Sequence, residues 1–369
     1  GHVLKHAAYA GLDESDQGWT LSPAEPGTYQ LLRDLYDEYL PNFRSRFFNA
    51  NCDEPWDLCQ GKSKQRGEQV GRGGVFLEHV RRVRDLAAEH GKRTMIWGDV
   101  VYGHPEILPE IDRDLMLLDL WYEADFDFDR VETYRSNGID FLVCPGTSTW
   151  NCLFPRVENS MLNISRWSDA ARRHGAAGVI CTDWGDFGHY NLQGNSWLAF
   201  AWSAQQAWSG QEDPKSFDRA FGRLLFGETR GAVAACYRAL VAVHEAGFRV
   251  FNGSALQYLF FDDLDRAFFL QQAKLAALRR SLRRREACKL RQHKAADAFK
   301  RDPLTQRELS YATEASLFAV RKALAAAEWL AWRKRPGSLD AAARRRIART
   351  LELLAGEQAK LGKELARLW

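Results

Sequence analysis

The chain has 369 residues, of which 46% are hydrophobic and 27% are charged, and its formal net charge is +3. This length allows about two domains with a large buried core. So small a net charge excludes a strong general attraction to nucleic acid or anionic lipid. No run of about 18 apolar residues is present, so no membrane span is predicted.

The cysteine pattern and the N-terminus limit the cellular context. The seven cysteines contain no CxxC pair, so we expect reduced thiols in a cytoplasmic protein rather than zinc ligands or a disulfide framework. No apolar signal segment follows the first residues, and the chain does not begin with Met, which suggests a fragment or a processed product. Nothing in the sequence predicts a metal or another cofactor.

The first 210 residues are predicted to alternate between helices and strands. An amphipathic helix over 28–40 ends before Pro41. A strand over 46–51 follows it. A long, basic, Gly-rich loop over 58–74 then leads into a second helix over 75–91.

The same alternation continues along the chain. Further helices are predicted over 128–137 and 164–174, each followed by Gly at the usual C-terminal position. Further strands are predicted over 93–97, 115–120, 141–144 and 177–182. Continuous apolar strands that alternate with helices indicate a parallel sheet covered by helices.

Acidic and aromatic side chains follow these strands at their C-terminal ends, as Trp97, Trp121 and Trp184 illustrate. A (β/α)8 barrel places its active site at this edge, and a doubly wound sheet also binds ligands there. The doubly wound alternative usually has a Gly-rich phosphate loop, which this sequence lacks. We therefore predict an α/β chain with a TIM-type barrel. It is expected to be incomplete, because only five strands, interpreted as strands 4–8, are visible.

From about residue 212 the strand patterns disappear. Helices are predicted over 216–226, 230–246, 264–285, 306–333 and 341–368. The expected domains are a partial barrel over 1–210 and an all-helical C-terminal domain over 211–369, which either packs on the barrel or forms an interface such as that of a homodimer. The arginine clusters at 279–285 and 344–349 are interpreted as solvated helix faces rather than a polyanion site, given the small net charge.

Asp53 and Glu54 are the candidate catalytic residues. They follow the apolar start of the stretch 47–54 and are themselves followed by Trp56. Neighbouring strand residues point to opposite faces, but both can face a pocket where the backbone turns at a strand end. Burial beside apolar groups raises the pKa of a carboxyl and suits it to act as a general acid. The alternative interpretation is an ordinary Asp-Glu-Pro loop.

The segments around this pair resemble family 20 glycoside hydrolases, the β-N-acetylhexosaminidases. Residues 21–29 (LSPAEPGTY), a helix and the strand leading to Asp53 and Glu54 are similar to the family's catalytic strand and the segment before it. That strand ends in His-x-Gly-Gly-Asp-Glu in the family. Residues 55–63 and 182–189 resemble the bacterial branch that has a helical C-terminal domain. The resemblance covers roughly residues 1–210.

The resemblance implies removal of terminal β-linked N-acetylhexosamine (GlcNAc or GalNAc) from glycans by a retaining, substrate-assisted mechanism. The substrate's 2-acetamido oxygen would attack C1 and form an oxazolinium ion. Glu54 would be the general acid and later the base for water, whereas Asp53 would orient the acetamido N–H. The nucleophile then belongs to the sugar, which explains why two adjacent carboxyl groups suffice.

The resemblance also implies sugar-binding residues. Trp97, Trp121 and Trp184 would form walls of the pocket, with plain packing as the alternative for each. Asp186 would bind O4 and O6 of the sugar, and His2 would support the acid pair. The full candidate substrate-binding set is His2, Trp97, Trp121, Tyr122, Trp150, Trp184 and Asp186. Asp99 and His189 are each interpreted equally well as ligand-binding or structural.

Departures from the family pattern keep a second function open. Asn49 stands where the family often has His, and Asn51 and Cys52 replace Gly-Gly. The family's acetamido-binding Tyr has no counterpart in 141–152, so Tyr122 is a candidate substitute. The strand that supplies the family's sugar-gripping Arg is absent. The alternative is therefore a non-catalytic carbohydrate-binding relative, and a third interpretation treats the helical half as an interaction module.

Overall fold

The computed structural model of the protein describes residues 2–210, 213–241, 248–334, 337 and 340–368. The chain divides into two compact units. Unit 1 comprises Gly1–Trp121, Asp127–Cys144 and Asp169–Ile180. Unit 2 comprises Tyr122–Phe126, Pro145–Ser168 and Cys181–Trp369.

Unit 1 contains a parallel sheet of four strands, which pair in the order β1-β2-β3-β4. The strands are β1 (Phe47–Asn49), β2 (Arg93–Trp97), β3 (Met116–Leu120) and β4 (Asp140–Cys144). Met116 to Asp119 of β3 are all buried, as expected for a strand inside a parallel sheet covered on both faces. The predicted α/β class with a parallel sheet is confirmed.

The predicted strand over 177–182 is present only as two isolated parallel bridges. Val143 pairs with Val179 in unit 1, and Gly146 pairs with Thr182 in unit 2. In a parallel ladder, alternate residues of one strand both donate and accept hydrogen bonds. Pro145 has no N–H to donate, so the ladder is interrupted at its position.

Unit 1 also contains α1 (Pro26–Tyr39), α2 (Lys64–Ala88), α3 (Asp99–Gly103) and α4 (Glu132–Ser136). The helix α1 begins at Pro26, whose fixed φ suits the first helical position. The helix α2 begins at Lys64, so the loop predicted over 58–74 is wrong for its second half. Gly71 has φ 76° inside α2 and breaks the helix there; glycine adopts this conformation without steric cost.

The later helices are α5 (Val157–His174), α6 (Trp197–Trp208), α7 (Pro214–Phe221), α8 (Ala232–Val241), α9 (Ala255–Phe261), α10 (Leu275–Lys294), α11 (Pro303–Arg333) and α12 (Ala341–Leu368). Within unit 2, α11 packs against α9, α10 and α12. Of the helix predicted over 230–246, the part over 242–246 lies outside the described residues. None of the helices in the described ranges combines the length and the apolar character that crossing a membrane requires.

Candidate active site

A turn of unusual backbone conformation follows β1 and carries the two candidate catalytic residues. Asn51 and Cys52 have φ values of 63°, and Glu54 has a φ of 49°. These angles lie in the left-handed region, which Gly enters freely and other residues enter at a cost. Asn51 and Cys52 thus occupy backbone conformations that suit the Gly-Gly found at these positions in the family that the sequence resembles.

The strand β2 holds this turn in place. The main-chain N–H of Trp97 donates to the main-chain oxygen of Asn51 at 3.0 Å, and its indole N–H donates to the Asn51 side-chain oxygen at 3.1 Å. The N–H of Asn51 in turn donates to Oδ1 of Asn49 at 3.0 Å. The two asparagines that depart from the family pattern therefore belong to one hydrogen-bond network. Trp97 itself is only 5% exposed.

Both main-chain groups of Glu54 are bonded to side chains from other parts of unit 1. Its N–H donates to Oδ2 of Asp99 at 3.0 Å. Its carbonyl oxygen accepts the indole N–H of Trp19 at 2.8 Å and the main-chain N–H of Trp56 at 2.8 Å. The position of Glu54 is consequently fixed by the start of α3 and by the segment that precedes α1.

Asp53 and Glu54 line one cavity of about 410 Å³ in unit 1. Trp19, Tyr36 and Cys52 also line it. Desolvation raises the pKa of the Asp53 carboxyl, and a bond from its own N–H lowers it in part. Burial, together with the charges of Asp53 and Asp99, raises the pKa of Cys52 to about 12. The Cys52 thiol beside the pair is therefore neutral at physiological pH.

Trp121 directly follows β3 and lies beside a buried ion pair. The guanidinium of Arg130 lies 5.8 Å from the Trp121 ring centroid and 4.1 Å from that of Tyr102. Nε of Arg130 donates to Asp119 at 3.0 Å, and a second guanidinium N–H donates to the other carboxylate oxygen. The Arg130 and Asp119 side chains are 7% and 0% exposed. The Trp121 indole is thus adjacent to a cation that is itself rigidly paired.

Three of the predicted sugar-binding residues meet in unit 2. The indole N–H of Trp184 donates to the hydroxyl oxygen of Tyr122 at 2.7 Å. The rings of Tyr122 and Trp150 pack edge to face, with centroids 4.7 Å apart. Gly146 makes this packing possible, because an added Cβ would lie 2.5 Å from Trp150 and 2.8 Å from Tyr122. We call Tyr122, Trp150 and Trp184 the aromatic cluster.

Asp186 and His2 are the two remaining predicted residues. Asp186 is exposed and begins a short 3-10 turn, Asp186–Gly188, in unit 2. Partial desolvation raises the pKa of its carboxyl although the residue as a whole is exposed. His2 is exposed in the N-terminal turn of unit 1, where its carbonyl oxygen accepts the N–H of Lys5.

Several contacts near the predicted residues of each unit could not be read from the sequence. Asp183 accepts hydroxyl hydrogen bonds from Thr147 and Thr149 in unit 2. Trp19 was not among the predicted residues. The sequence offers one signal for it, namely its position just before the family-like segment 21–29. Among the described residues, no group of three His, Cys, Asp or Glu side chains is placed to hold a metal ion.

The adjacent carboxyl groups of Asp53 and Glu54 follow a parallel strand, which is where α/β enzymes place their active sites. The catalytic domain of glycosyl hydrolase family 20 matches residues 4–197. The chain belongs to this family. No curated protein matches the chain.

Solved structures resemble the protein in fold. A GH138 enzyme targeting the pectin rhamnogalacturonan II is 11% identical with a TM-score of 0.54, covering 92% of this chain and 58% of that chain. The chitobiase of Flavobacterium johnsoniae is 13% identical with a TM-score of 0.47, covering 89% of this chain and 56% of that chain. The protein thus spans less than two thirds of the length of either structure. At such low identity the likeness to the GH138 enzyme concerns the fold alone.

Proposed function

We propose that the chain removes terminal β-linked N-acetylhexosamine from glycans by a substrate-assisted, retaining mechanism. Membership of family 20 supports a glycosidase. The observation that carries the proposal is that Asp53 and Glu54 line the same cavity. Neighbouring residues of a regular strand point to opposite faces, and the left-handed backbone at Glu54 removes that restriction.

In the proposed first step, the Glu54 carboxyl gives its proton to the glycosidic oxygen as the bond from C1 to that oxygen breaks. The carbonyl oxygen of the substrate's 2-acetamido group forms a new bond to C1 and gives an oxazolinium ion. The aglycone leaves as an alcohol. Asp53 accepts a hydrogen bond from the acetamido N–H and balances the positive charge that develops on the ring.

In the proposed second step, the Glu54 carboxylate takes a proton from water while the water oxygen attacks C1. The bond between C1 and the acetamido oxygen breaks, and the acetamido group is restored. Two inversions at C1 leave its configuration retained. Glu54 is again protonated and ready for the next turnover.

The aromatic residues are proposed to bind the sugar. Aromatic faces pack against sugar C–H groups, and Tyr and Trp add a polar edge that can hydrogen bond. Tyr122 is proposed to donate to the acetamido oxygen, since its hydroxyl oxygen is already located by Trp184. Trp97, Trp121, Trp150 and Trp184 are proposed as apolar walls. Asp186 is proposed for O4 and O6, and His2 for support of the acid pair.

The finer architecture is also part of the proposal. Residues 1–210 are proposed to form an incomplete (β/α)8 catalytic barrel with strands 4–8, and residues 211–369 an all-helical C-terminal domain. The helical packing of α11 against α9, α10 and α12 supports the second assignment. The helical domain is proposed to contribute to a homodimer, which light scattering of the full chain would detect as a doubled mass.

Glu54→Gln tests the assignment of the general acid. General acid–base catalysis contributes about 10²–10⁴-fold, so kcat on an alkyl N-acetyl-β-glucosaminide should fall by roughly that factor. An aryl substrate with an activated leaving group should lose less. Glu38→Gln, at an exposed position of α1, is the matched control and should retain full activity. Equal activity of Glu54→Gln and the parent would overturn the assignment. Tight binding of a thiazoline inhibitor without turnover by the parent would favour the non-catalytic alternative.

A further inference from the structure

The main chain of Glu54 is held from both sides by side chains that the reaction does not use. Asp99 accepts the Glu54 N–H at 3.0 Å, and Trp19 donates its indole N–H to the Glu54 carbonyl oxygen at 2.8 Å. Asp99 is the first residue of α3 and follows β2, whereas Trp19 precedes α1. Two separate parts of unit 1 therefore act on a single residue.

The conformation that these bonds hold is an unfavourable one. Glu54 has a φ of 49°, and a non-Gly residue adopts this left-handed conformation at an energetic cost, so it persists only where its surroundings enforce it. A hydrogen bond to a charged group stabilises a structure more than a hydrogen bond between neutral groups does. Asp99 accepts one of these bonds and Trp19 donates the other, so both main-chain polar groups of Glu54 are restrained.

The backbone conformation of a residue determines where its side chain points. A rotation of φ from the left-handed to the ordinary right-handed region redirects the bond from Cα to Cβ. In Glu54, which lines the cavity, that rotation would redirect the whole side chain. We infer that Asp99 and Trp19 are positioning residues, which hold Glu54 in its left-handed conformation and so aim its carboxyl at the substrate. This inference rests on the proposed role of Glu54.

Asp99 is well suited to this role. One carboxylate oxygen bonds to Glu54, and the other, Oδ1, is buried without a hydrogen-bond partner among the described residues. Burial disfavours the charged form of Asp99, and the main-chain N–H groups of Glu54, Val100 and Asp99 itself offset this cost in part. Trp19 differs in that the residue is 52% exposed. Its removal should therefore disturb Glu54 with little effect on the core.

The test compares Asp99→Ala and Trp19→Phe with Asp99→Asn, which keeps an oxygen acceptor. Misplacing a reacting group by about 1 Å can cost on the order of 10² in rate. We expect kcat for an alkyl N-acetyl-β-glucosaminide, whose leaving group depends most on the acid, to fall by about 10- to 100-fold in the first two variants, with KM nearly unchanged. Asp99→Asn should retain most of the activity. Trp19→Phe keeps the aromatic ring and covers the case in which Asp99→Ala fails to fold.

The same substitutions in a Glu54→Gln background separate positioning from general structural damage. If Asp99 and Trp19 act through the Glu54 carboxyl, their substitution should lower kcat no further once that carboxyl is gone. Crystal structures of the two variants should show Glu54 with a negative φ. Unchanged kcat in an active parent background, an equal loss in the Glu54→Gln background, or a Glu54 that stays left-handed would each overturn the inference. If the parent chain hydrolyses no substrate, the proposed function is contradicted instead. The crystal structures of Asp99→Ala and Trp19→Phe then still show whether these side chains hold Glu54 at a positive φ.

Discussion

Trp97 binds Asn51 through two hydrogen bonds, one from its main-chain N–H at 3.0 Å and one from its indole N–H at 3.1 Å. The residue that replaces a family glycine therefore provides a contact that glycine cannot make. Asn is also the non-Gly residue that best tolerates left-handed angles. The substitution is thus compatible with the turn and ties it to a candidate wall of the sugar pocket.

Substitutions of Asn51 should separate these two contributions. Asn51→Gly removes the acceptor for the indole and should lower the free energy of unfolding by about 0.5–1.5 kcal/mol. Asn51→Ala removes the same acceptor and also places a Cβ at a φ of 63°, which adds about 1 kcal/mol or more. Urea unfolding should rank the parent above Gly and Gly above Ala. A Gly variant more stable than the parent would show that backbone strain outweighs the indole bond.

Gly146 should be irreplaceable in the aromatic cluster. Gly146→Ala places a Cβ 2.5 Å from Trp150 and 2.8 Å from Tyr122, and such overpacking costs about 1–3 kcal/mol. Gly356→Ala is the control, since nothing lies within 4 Å of its added Cβ. Gly356 lies inside α12, where Ala is favoured over Gly by about 0.5–1 kcal/mol. Thermal unfolding should therefore shift in opposite directions. A stable, fully active Gly146→Ala variant would contradict the tight packing.

Arg130 should contribute to stability far more than an exposed arginine does. Arg130→Met leaves the fully buried Asp119 without its guanidinium, and breaking a buried pair in this way costs about 3–5 kcal/mol. Arg173→Met is the control, because its partner Asp129 is half-exposed and such pairs contribute at most about 1 kcal/mol. Both values can be measured by urea unfolding. Adding Asp119→Asn to Arg130→Met should restore part of the loss, and equal effects of the two single variants would refute this account.

The pKa of Asp99 predicts a specific dependence of stability on pH. Desolvation raises this pKa, the Glu54 N–H lowers it in part, and the charge of Asp53 raises it. A carboxyl with a raised native-state pKa binds its proton more tightly when folded, so stability falls as pH rises through that pKa. Asp99→Asn removes this loss. Its melting temperature relative to the parent should therefore increase from acid to neutral pH, and a difference that is constant with pH would contradict the prediction.

Local sequence patterns predicted the sheet well. The bounds of β2 agree with the predicted 93–97, because its apolar run is bordered by Gly91 and Gly98. The helix predicted over 264–285 begins only at Leu275. The carboxylate of Asp262 accepts the N–H groups of Phe268, Phe269 and Leu270. Side chains that bond the main chain locally in this way compete with helix formation, and hydrophobic periodicity does not reveal them.

In the candidate site, too, the sequence indicates features that depend on neighbouring residues but not contacts between residues far apart in the chain. Asp53 and Glu54 were recognisable because they are adjacent and follow a strand. The bond from Trp19 to Glu54 joins residues that are 35 positions apart, and no sequence pattern indicates it. The left-handed angles at Asn51 and Cys52 could be inferred only from the family's Gly-Gly. The contact between Trp184 and Tyr122, 62 positions apart, likewise required the fold.

Substrate assistance is the central claim, and the most direct test replaces the acetamido group of the substrate. kcat of the full chain should be compared for an aryl N-acetyl-β-glucosaminide and its N-trifluoroacetyl analogue. Fluorine weakens the attacking carbonyl oxygen, so we expect at least about a tenfold lower rate, equivalent to about 1.4 kcal/mol in the barrier. The corresponding β-glucoside, which has no acetamido group, should not be hydrolysed. Equal rates for the two amides, or turnover of the glucoside, would contradict the mechanism.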